Sequence, residues 1–103
     1  MTNFQKLYNS QKRFSLKTFG SAKDRPFSGP LNHLKREIDE AIESGDISEF
    51  ADMFLLLIDG FHRRFPSNNA DSMIAAARKK LEINKARKWG KMDSEGVSEH
   101  IKD

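Results

Sequence analysis

Four acidic residues in two pairs carry the clearest chemical pattern in the chain: Glu37 with Glu40, and Glu49 with Asp52. The members of each pair are three residues apart, which places them on one face of a helix, about one turn from each other. A Ser-Gly-Asp break at residues 44–46 predicts that two helices fold back as a hairpin with the acids facing one another. Hard divalent cations such as Mg²⁺ take carboxylate oxygens as ligands, so this spacing indicates a metal site.

The second helix of this hairpin is apolar around almost its whole circumference, which predicts a buried central helix. Carboxylates on a buried helix cost free energy unless a charge compensates them, and a cation would do so. A plainer interpretation stays open, because Glu is a good helix former and Glu49 could be a first-turn acid stabilised by the helix dipole. Asp52 lies inside the apolar run and fits this second interpretation less well. The apolar residues are Phe50, Ala51, Met53, Phe54, Leu55, Leu56, Leu57, Ile58 and Phe61.

Hydrophobic spacing and helix-breaking residues predict an all-α domain with four helices and no strands. The predicted helices cover residues 3–18, 31–44, 47–65 and 70–88, with a loop at 18–30. We expect one domain over residues 1–103, in which 1–29 form an N-terminal helix and loop and 92–103 form a polar tail.

Composition narrows the class of protein. Of the 103 residues, 37% are hydrophobic and 32% charged, which is polar for a compact monomer. Because the apolar residues are concentrated in one helix, we expect a homo-oligomer, a dimer or tetramer, in which subunits complete each other's cores. Without cysteine, disulfides and thiolate metal sites are excluded. No apolar leader or membrane-length apolar run is visible, so we expect a cytoplasmic protein without a membrane partner.

Several basic and polar residues could meet an anionic ligand, in keeping with a net charge of +3. A basic cluster ends the fourth helix, although such a run is usually a solvated face and a tryptophan there is usually a packing anchor. In the loop, Lys23 and Arg25 could contact phosphate or belong to a plain connection. His33, one turn before Glu37, and Asp59, seven residues after Asp52, are candidates to orient ligands, and Asp59 could instead pair with Arg63 or Arg64. The basic cluster offers Lys80, Asn84, Arg87, Lys88 and Trp89.

The ordered series of motifs resembles the all-α nucleoside triphosphate pyrophosphohydrolases of the MazG-like superfamily, and within it the dATP/dGTP diphosphohydrolase branch that is frequent in phages and prophages. The two acidic pairs match its E-x-x-E and E-x-x-D signature. Eight residues separate Glu40 from Glu49, fewer than in many members, and Phe50 and Gly90 stand where the branch often has Trp and Pro. The further matching motifs are Thr18-Phe19-Gly20, His33-Leu34, Leu57-x-Asp59-Gly60, Lys80-x-x-x-Asn84-Lys85-x-Arg87-Lys88-Trp89 and Glu99-His100.

The resemblance implies a helical bundle completed by oligomerisation and a hydrolysis that gives a nucleoside monophosphate and pyrophosphate. The four acids would bind Mg²⁺, with Mn²⁺ as an alternative, and one of them, with Glu40 as the candidate, would act as general base. In the basic cluster, Lys80, Arg87 and Lys88 would bind phosphate, Asn84 would bind the sugar or base, and Trp89 would belong to the same substrate site.

A second class of function remains open on the sequence. A non-catalytic module could use its basic fourth helix to bind nucleic acid or a nucleotide. Nucleic-acid binding would weaken steeply with salt and ignore Mg²⁺, whereas a pyrophosphohydrolase would require the divalent metal. The four acids favour the enzyme.

Overall fold

In the computed structural model, which describes residues 1–102, the chain forms four helices without a named strand in that part of the chain. The prediction of an all-α fold with four helices is therefore confirmed. One isolated antiparallel bridge joins Trp89 and His100. Asp103, the last residue of the predicted domain and tail, lies outside the described residues. The helices are α1 (Asn3–Phe19), α2 (Ser28–Ser44), α3 (Ile47–Arg64) and α4 (Ala70–Ala86).

The turn between α2 and α3 has the form that the sequence predicts. Gly45 follows α2 in the left-handed conformation, with φ of 64°, and its N–H donates to the carbonyl of Ala41 at 2.9 Å. Glycine adopts this conformation without the steric cost that a β-carbon brings. Asp46 then caps α3 by accepting a hydrogen bond from the backbone N–H of Ser48. The two helices pack against each other as a hairpin.

Helix α2 begins at Ser28, three residues before its predicted start, so the preceding loop covers only residues 20–27. Pro30 was expected to end a loop. It lies instead in the first turn of the helix, where a backbone N–H has no intrahelical partner and its loss costs nothing. The ends of α3 and α4 differ by one and two residues from the prediction.

Contacts divide the chain into two compact units, of which the first is Met1–Met73. Here α1 and α2 both pack on α3. The core consists of Tyr8, Ile58 and Ala70, with partly buried aromatic and methionine side chains around it. At Gly60 a β-carbon would lie only 2.9 Å from Leu31 Cδ2, so the glycine allows α2 to approach α3 closely.

Helix α3, which we expect to be a buried central helix once subunits complete each other's cores, is only partly buried in the single chain. Its buried residues lie in the C-terminal half, from Ile58 to Arg63, whereas Phe50, Phe54 and Leu57 are exposed. The physical reason is that α1 and α2 pack on only part of the circumference of α3. The N-terminal half of α3, which carries two of the predicted metal ligands, is therefore open to solvent.

The second unit begins at Ile74 and contains most of α4 and the tail. The tail folds back after a turn at residues 94–96, and the N–H of Ile101 donates to the carbonyl of Lys88 at 2.7 Å. The indole N–H of Trp89 donates to the carbonyl of Asn84 at 2.8 Å, at the end of α4. In residues 1–102 no helix is both long and apolar enough to cross a membrane.

Candidate metal centre

Three of the four predicted acids converge where the α2–α3 hairpin places them. Glu37 on α2 and Glu49 and Asp52 on α3 each offer one carboxylate oxygen, and these oxygens all lie within 4.8 Å of one another. Glu37 and Glu49 are half-buried, and Asp52 is exposed. We call these three residues the carboxylate cluster. Since α3 is open at this end, the acids are less desolvated than the sequence suggested.

Glu40, the fourth predicted ligand, is exposed and lies one turn further along α2 than Glu37. It is not one of the three residues that share the 4.8 Å separation. The three-residue spacing nevertheless places the two glutamates one turn apart on the same face of α2. Hydrogen bonding to Glu37, followed by the charge of Glu37, raises the pKa of Glu40. Glu40 therefore borders the carboxylate cluster.

Glu49 is the member of the carboxylate cluster that has no compensating partner on one of its oxygens. One of its oxygens, Oε2, is buried and accepts no hydrogen bond within residues 1–102. Burial raises the pKa of Glu49 first, and hydrogen bonding to Glu37 and the charges of Glu40, Glu37 and Asp52 raise it further. An unpartnered buried acceptor among several carboxylate oxygens is the ligand set that a hard divalent cation prefers. The residues present thus fit a Mg²⁺ or Mn²⁺ ion.

His33 is next to the carboxylate cluster. Its Nε2 atom lies 3.0 Å from Oε1 of Glu37, and Glu37 follows His33 by one turn of α2. Half of the His33 side chain is exposed. A hydrogen bond of this kind orients a ligating carboxylate without occupying a coordination position.

Asp59, the other candidate for orienting ligands, belongs to a separate group of charges inside the first unit. It is buried and accepts hydrogen bonds from Ser15 Oγ at 2.7 Å and Arg63 Nε at 2.8 Å. His62 Nε2 also lies 2.8 Å from the Asp59 carboxylate. Burial alone would raise the pKa of Asp59, but the contacts with His62, Ser15 and Arg63 lower it to about 2. The pairing of Asp59 with Arg63 is the alternative that the sequence analysis offered.

The same buried group holds the loop that precedes α2. Arg63 Nη1 donates to the carbonyls of Ser21 at 3.1 Å and Arg25 at 2.8 Å, while its Nη2 bonds to Ser15. We call Ser15, Asp59, His62 and Arg63 the buried network. The sequence analysis missed Ser15 and His62. The only available signal was the four-residue spacing of Asp59 and Arg63, since Ser15 is 44 residues from its partner.

The residues of the basic cluster lie in the second unit, at the end of α4 and directly after it. Lys80 and Asn84 are on the helix, whereas Arg87, Lys88 and Trp89 follow its last residue. Arg87 Nη1 is 3.5 Å from Asn84 Oδ1, and the Trp89 ring packs edge-on against His100. The cluster is thus a local structure at the helix end.

Comparisons with known proteins show the family of the chain. The family model described as dATP/dGTP pyrophosphohydrolase matches residues 7–103. A solved structure of a MazG-like pyrophosphohydrolase from cyanophage S-2L, bound to dGDP and three catalytic Mn²⁺ ions per active site, is similar with a TM-score of 0.76 and 27% sequence identity. The similarity covers 99% of this chain and 96% of the cyanophage chain. No curated protein matches.

The family match covers nearly the whole chain, and the structural match adds the same architecture from end to end. The resemblance noted in the sequence is confirmed, and the protein is an enzyme rather than a non-catalytic binding module. The chain belongs to the dATP/dGTP pyrophosphohydrolase family of MazG-like fold.

Proposed function

We propose that the enzyme hydrolyses a purine deoxynucleoside triphosphate, dATP or dGTP, to the monophosphate and pyrophosphate, with Mg²⁺ as its cation and Mn²⁺ as an alternative. The observation that carries this proposal is the carboxylate cluster, in which two helices bring three carboxylate oxygens within 4.8 Å of one another. The description of the matching family and the dGDP and Mn²⁺ ions of the cyanophage relative support the choice of substrate and metal.

Glu37, Glu49 and Asp52 would hold the cation, and Glu40 would extend the ligand set from the next turn of α2. A bound divalent cation supplies positive charge that offsets the triphosphate and makes a water more acidic. The hairpin contributes the alignment, because Gly45 and Asp46 fix how the two helices face each other. The open end of α3 leaves room for a nucleotide to approach the acids.

The reaction itself needs a proton acceptor close to the attacking water. Glu40 suits this role because it is exposed and borders the carboxylate cluster without belonging to its close set of oxygens. The water oxygen bonds to the α-phosphorus while Glu40 takes its proton. The bond from the α-phosphorus to the bridging oxygen breaks, and pyrophosphate leaves with that oxygen.

The basic cluster at the end of α4 would bind the rest of the substrate. Lys80, Arg87 and Lys88 would contact oxygens of the α-phosphate, and Arg87 can do so with two parallel hydrogen bonds. Asn84 would read the sugar or base with its amide, and Trp89, which is exposed, would belong to the same substrate site. Support comes from the hydrogen bonds that tie Arg87 and Trp89 to Asn84.

We also propose that the catalytic domain over residues 1–103 works as a homo-oligomer, a dimer or tetramer. Large apolar side chains on both sides of the hairpin are exposed in the single chain, with Ile42 at 78%, Ile47 at 84% and Phe50 at 57%. Fully burying each such side chain would stabilise an assembly by about 1.5–3 kcal/mol. These residues are close in sequence to the acids, so the interface would lie near the site.

A substrate screen tests the proposed function. The experiment measures pyrophosphate release from each dNTP and NTP with Mg²⁺, with Mn²⁺ and with excess chelator. We expect release from dATP and dGTP above all other nucleotides, and none with chelator. Activity that survives the chelator, or a preference for pyrimidine nucleotides, would overturn the metal or the substrate assignment respectively.

A further inference from the structure

A cleft of about 430 Å³ lies at the N-terminal end of α2, beside the carboxylate cluster. Its lining contains two arginines, a histidine and an asparagine, but no acid and no Phe, Tyr or Trp. A nucleobase is usually held by apolar or aromatic surface, whereas arginines bind phosphate through charged, paired hydrogen bonds. The lining therefore fits a phosphate group better than a base. The five lining residues are Arg25, Gly29, Asn32, His33 and Arg36.

The cleft and the two acids of α2, Glu37 and Glu40, share one face of this helix. His33 is one turn before Glu37, and Arg36 is one turn before Glu40, so two parallel rows run from the cleft to the acids. The contact of His33 Nε2 with Glu37 Oε1 at 3.0 Å marks the boundary between them. A ligand that reaches the acids could therefore extend into the cleft along this face.

Arg25 is held in place before any ligand arrives. Its guanidinium carbon lies 4.2 Å from the centre of the Phe19 ring, and its Nη2 atom is 3.7 Å from Asp59 Oδ2. Arg63 of the buried network fixes the Arg25 backbone through a hydrogen bond to its carbonyl. The Nε atom of Arg25 is buried and has no hydrogen-bond partner within residues 1–102. A side chain ordered in advance loses little entropy when it binds an anion.

We infer that the cleft lined by Arg25, Asn32 and Arg36 binds the β- and γ-phosphates of the substrate, the two that leave as pyrophosphate. This inference rests on the proposed function, which places the α-phosphorus at the carboxylate cluster. With the α-phosphorus there, one side of the substrate is the nucleoside and the other is the phosphate chain. The cationic cleft takes the phosphate chain, so the nucleoside points away from the N-terminal end of α2.

The direct test is calorimetric titration of inorganic pyrophosphate, with Mg²⁺ present, into the full-length protein and two variants. Arg36→Gln removes a cleft charge, and Lys35→Gln removes the same charge from the neighbouring residue, which does not line the cleft. We expect Arg36→Gln to weaken pyrophosphate binding about tenfold, the loss of one charge-assisted hydrogen bond, and Lys35→Gln to leave it unchanged. Binding of dGMP should be the same in all three proteins, since its only phosphate would lie at the acids.

Two results would overturn the inference. One is equal pyrophosphate affinity in Arg36→Gln and Lys35→Gln, or no binding by the unmodified protein. The other is a loss of dGMP binding in Arg36→Gln with pyrophosphate binding intact, which would place the nucleoside in the cleft. Arg36 is preferred to Arg25 for this test because it is exposed and outside the buried network, so its replacement leaves the fold intact. Circular dichroism of each variant checks this.

Amide NMR shifts give a second, independent reading. Adding pyrophosphate should shift the backbone signals of Gly29 and Asn32, whereas shifts confined to residues 80–88 would contradict the inference. Neither binding measurement requires turnover. If the enzyme binds pyrophosphate in the cleft but hydrolyses no nucleotide in the substrate screen, the proposed function fails on its own, and the two failures are distinguishable.

Discussion

Helix α3 carries two groups of charged side chains that differ in whether the chain supplies partners for their carboxylates. In the buried network near its C-terminal end, Asp59 is surrounded by donors and its pKa is lowered to about 2. In the carboxylate cluster near its N-terminal end, the pKa of Glu49 is raised, and one of its oxygens is left without a donor. The protein supplies the compensating charge at one end of the helix and not at the other.

The comparison separates a structural role from a functional one. A group whose charge is balanced within the chain stabilises the fold, whereas a group of like charges lowers stability unless a ligand binds. The buried network therefore positions the loop and α2, and we propose that the carboxylate cluster binds the cation. Substitutions at the two ends of α3 should therefore have different consequences.

The largest effect on stability is expected from Asp59→Asn. It leaves the charges of Arg63 and Arg25 without their buried partner, so the free energy of unfolding should fall by about 3–5 kcal/mol. Urea denaturation of this variant and of Asp39→Asn, an exposed position on α2, measures the difference. A loss below about 1 kcal/mol in Asp59→Asn would mean that the buried network does not stabilise the fold.

Asp52→Asn should reduce activity without reducing stability. Removing one anionic ligand should lower the rate of pyrophosphate release about a hundredfold or more, because less positive charge is held at the phosphates. Stability without metal should stay the same or rise, since one repulsive charge is gone. Kinetics and urea denaturation of the same sample test both halves, again with Asp39→Asn as control. Unchanged turnover would remove Asp52 from the site.

Acid should weaken the fold through Asp59. Because its pKa is about 2 in the folded protein and 3.8 ordinarily, its stabilising effect is complete above about pH 4 and disappears as the pH falls towards 2. The amount is about 2.5 kcal/mol, and it should be missing from the pH profile of Asp59→Asn. Urea midpoints measured from pH 6 down to pH 2 test this. Parallel profiles for the two proteins would contradict it.

The smallest effect is expected in the turn that aligns the acids. Gly45 has a positive φ and no atom within 4 Å of a β-carbon, so Gly45→Ala costs only the backbone strain, about 1 kcal/mol. Thermal unfolding measures this cost. A much larger loss would mean that the turn contributes more to the fold than its conformation accounts for.

The parts of the site that depend on local spacing could be predicted from the sequence. The three-residue spacing of the acids and the turn at Gly45 were enough to predict the hairpin. An uncovered apolar surface on α3 could be predicted from its composition. Which half of the helix is exposed could not be predicted, because this depends on where α1 and α2 pack against it. Ser15 was missed for a similar reason, since its partner Asp59 is distant in sequence. Pro30 was misjudged because the first turn of a helix tolerates proline.

The central claim is that the carboxylate cluster binds a divalent cation. Calorimetric titration of Mn²⁺ into the unmodified protein, Asp52→Asn and Asp39→Asn tests it without any nucleotide. We expect the unmodified protein and Asp39→Asn to bind Mn²⁺ alike, and Asp52→Asn to bind it at least about tenfold more weakly. Equal Mn²⁺ affinity in all three proteins would contradict the claim, because it would mean that the carboxylate cluster does not bind the cation.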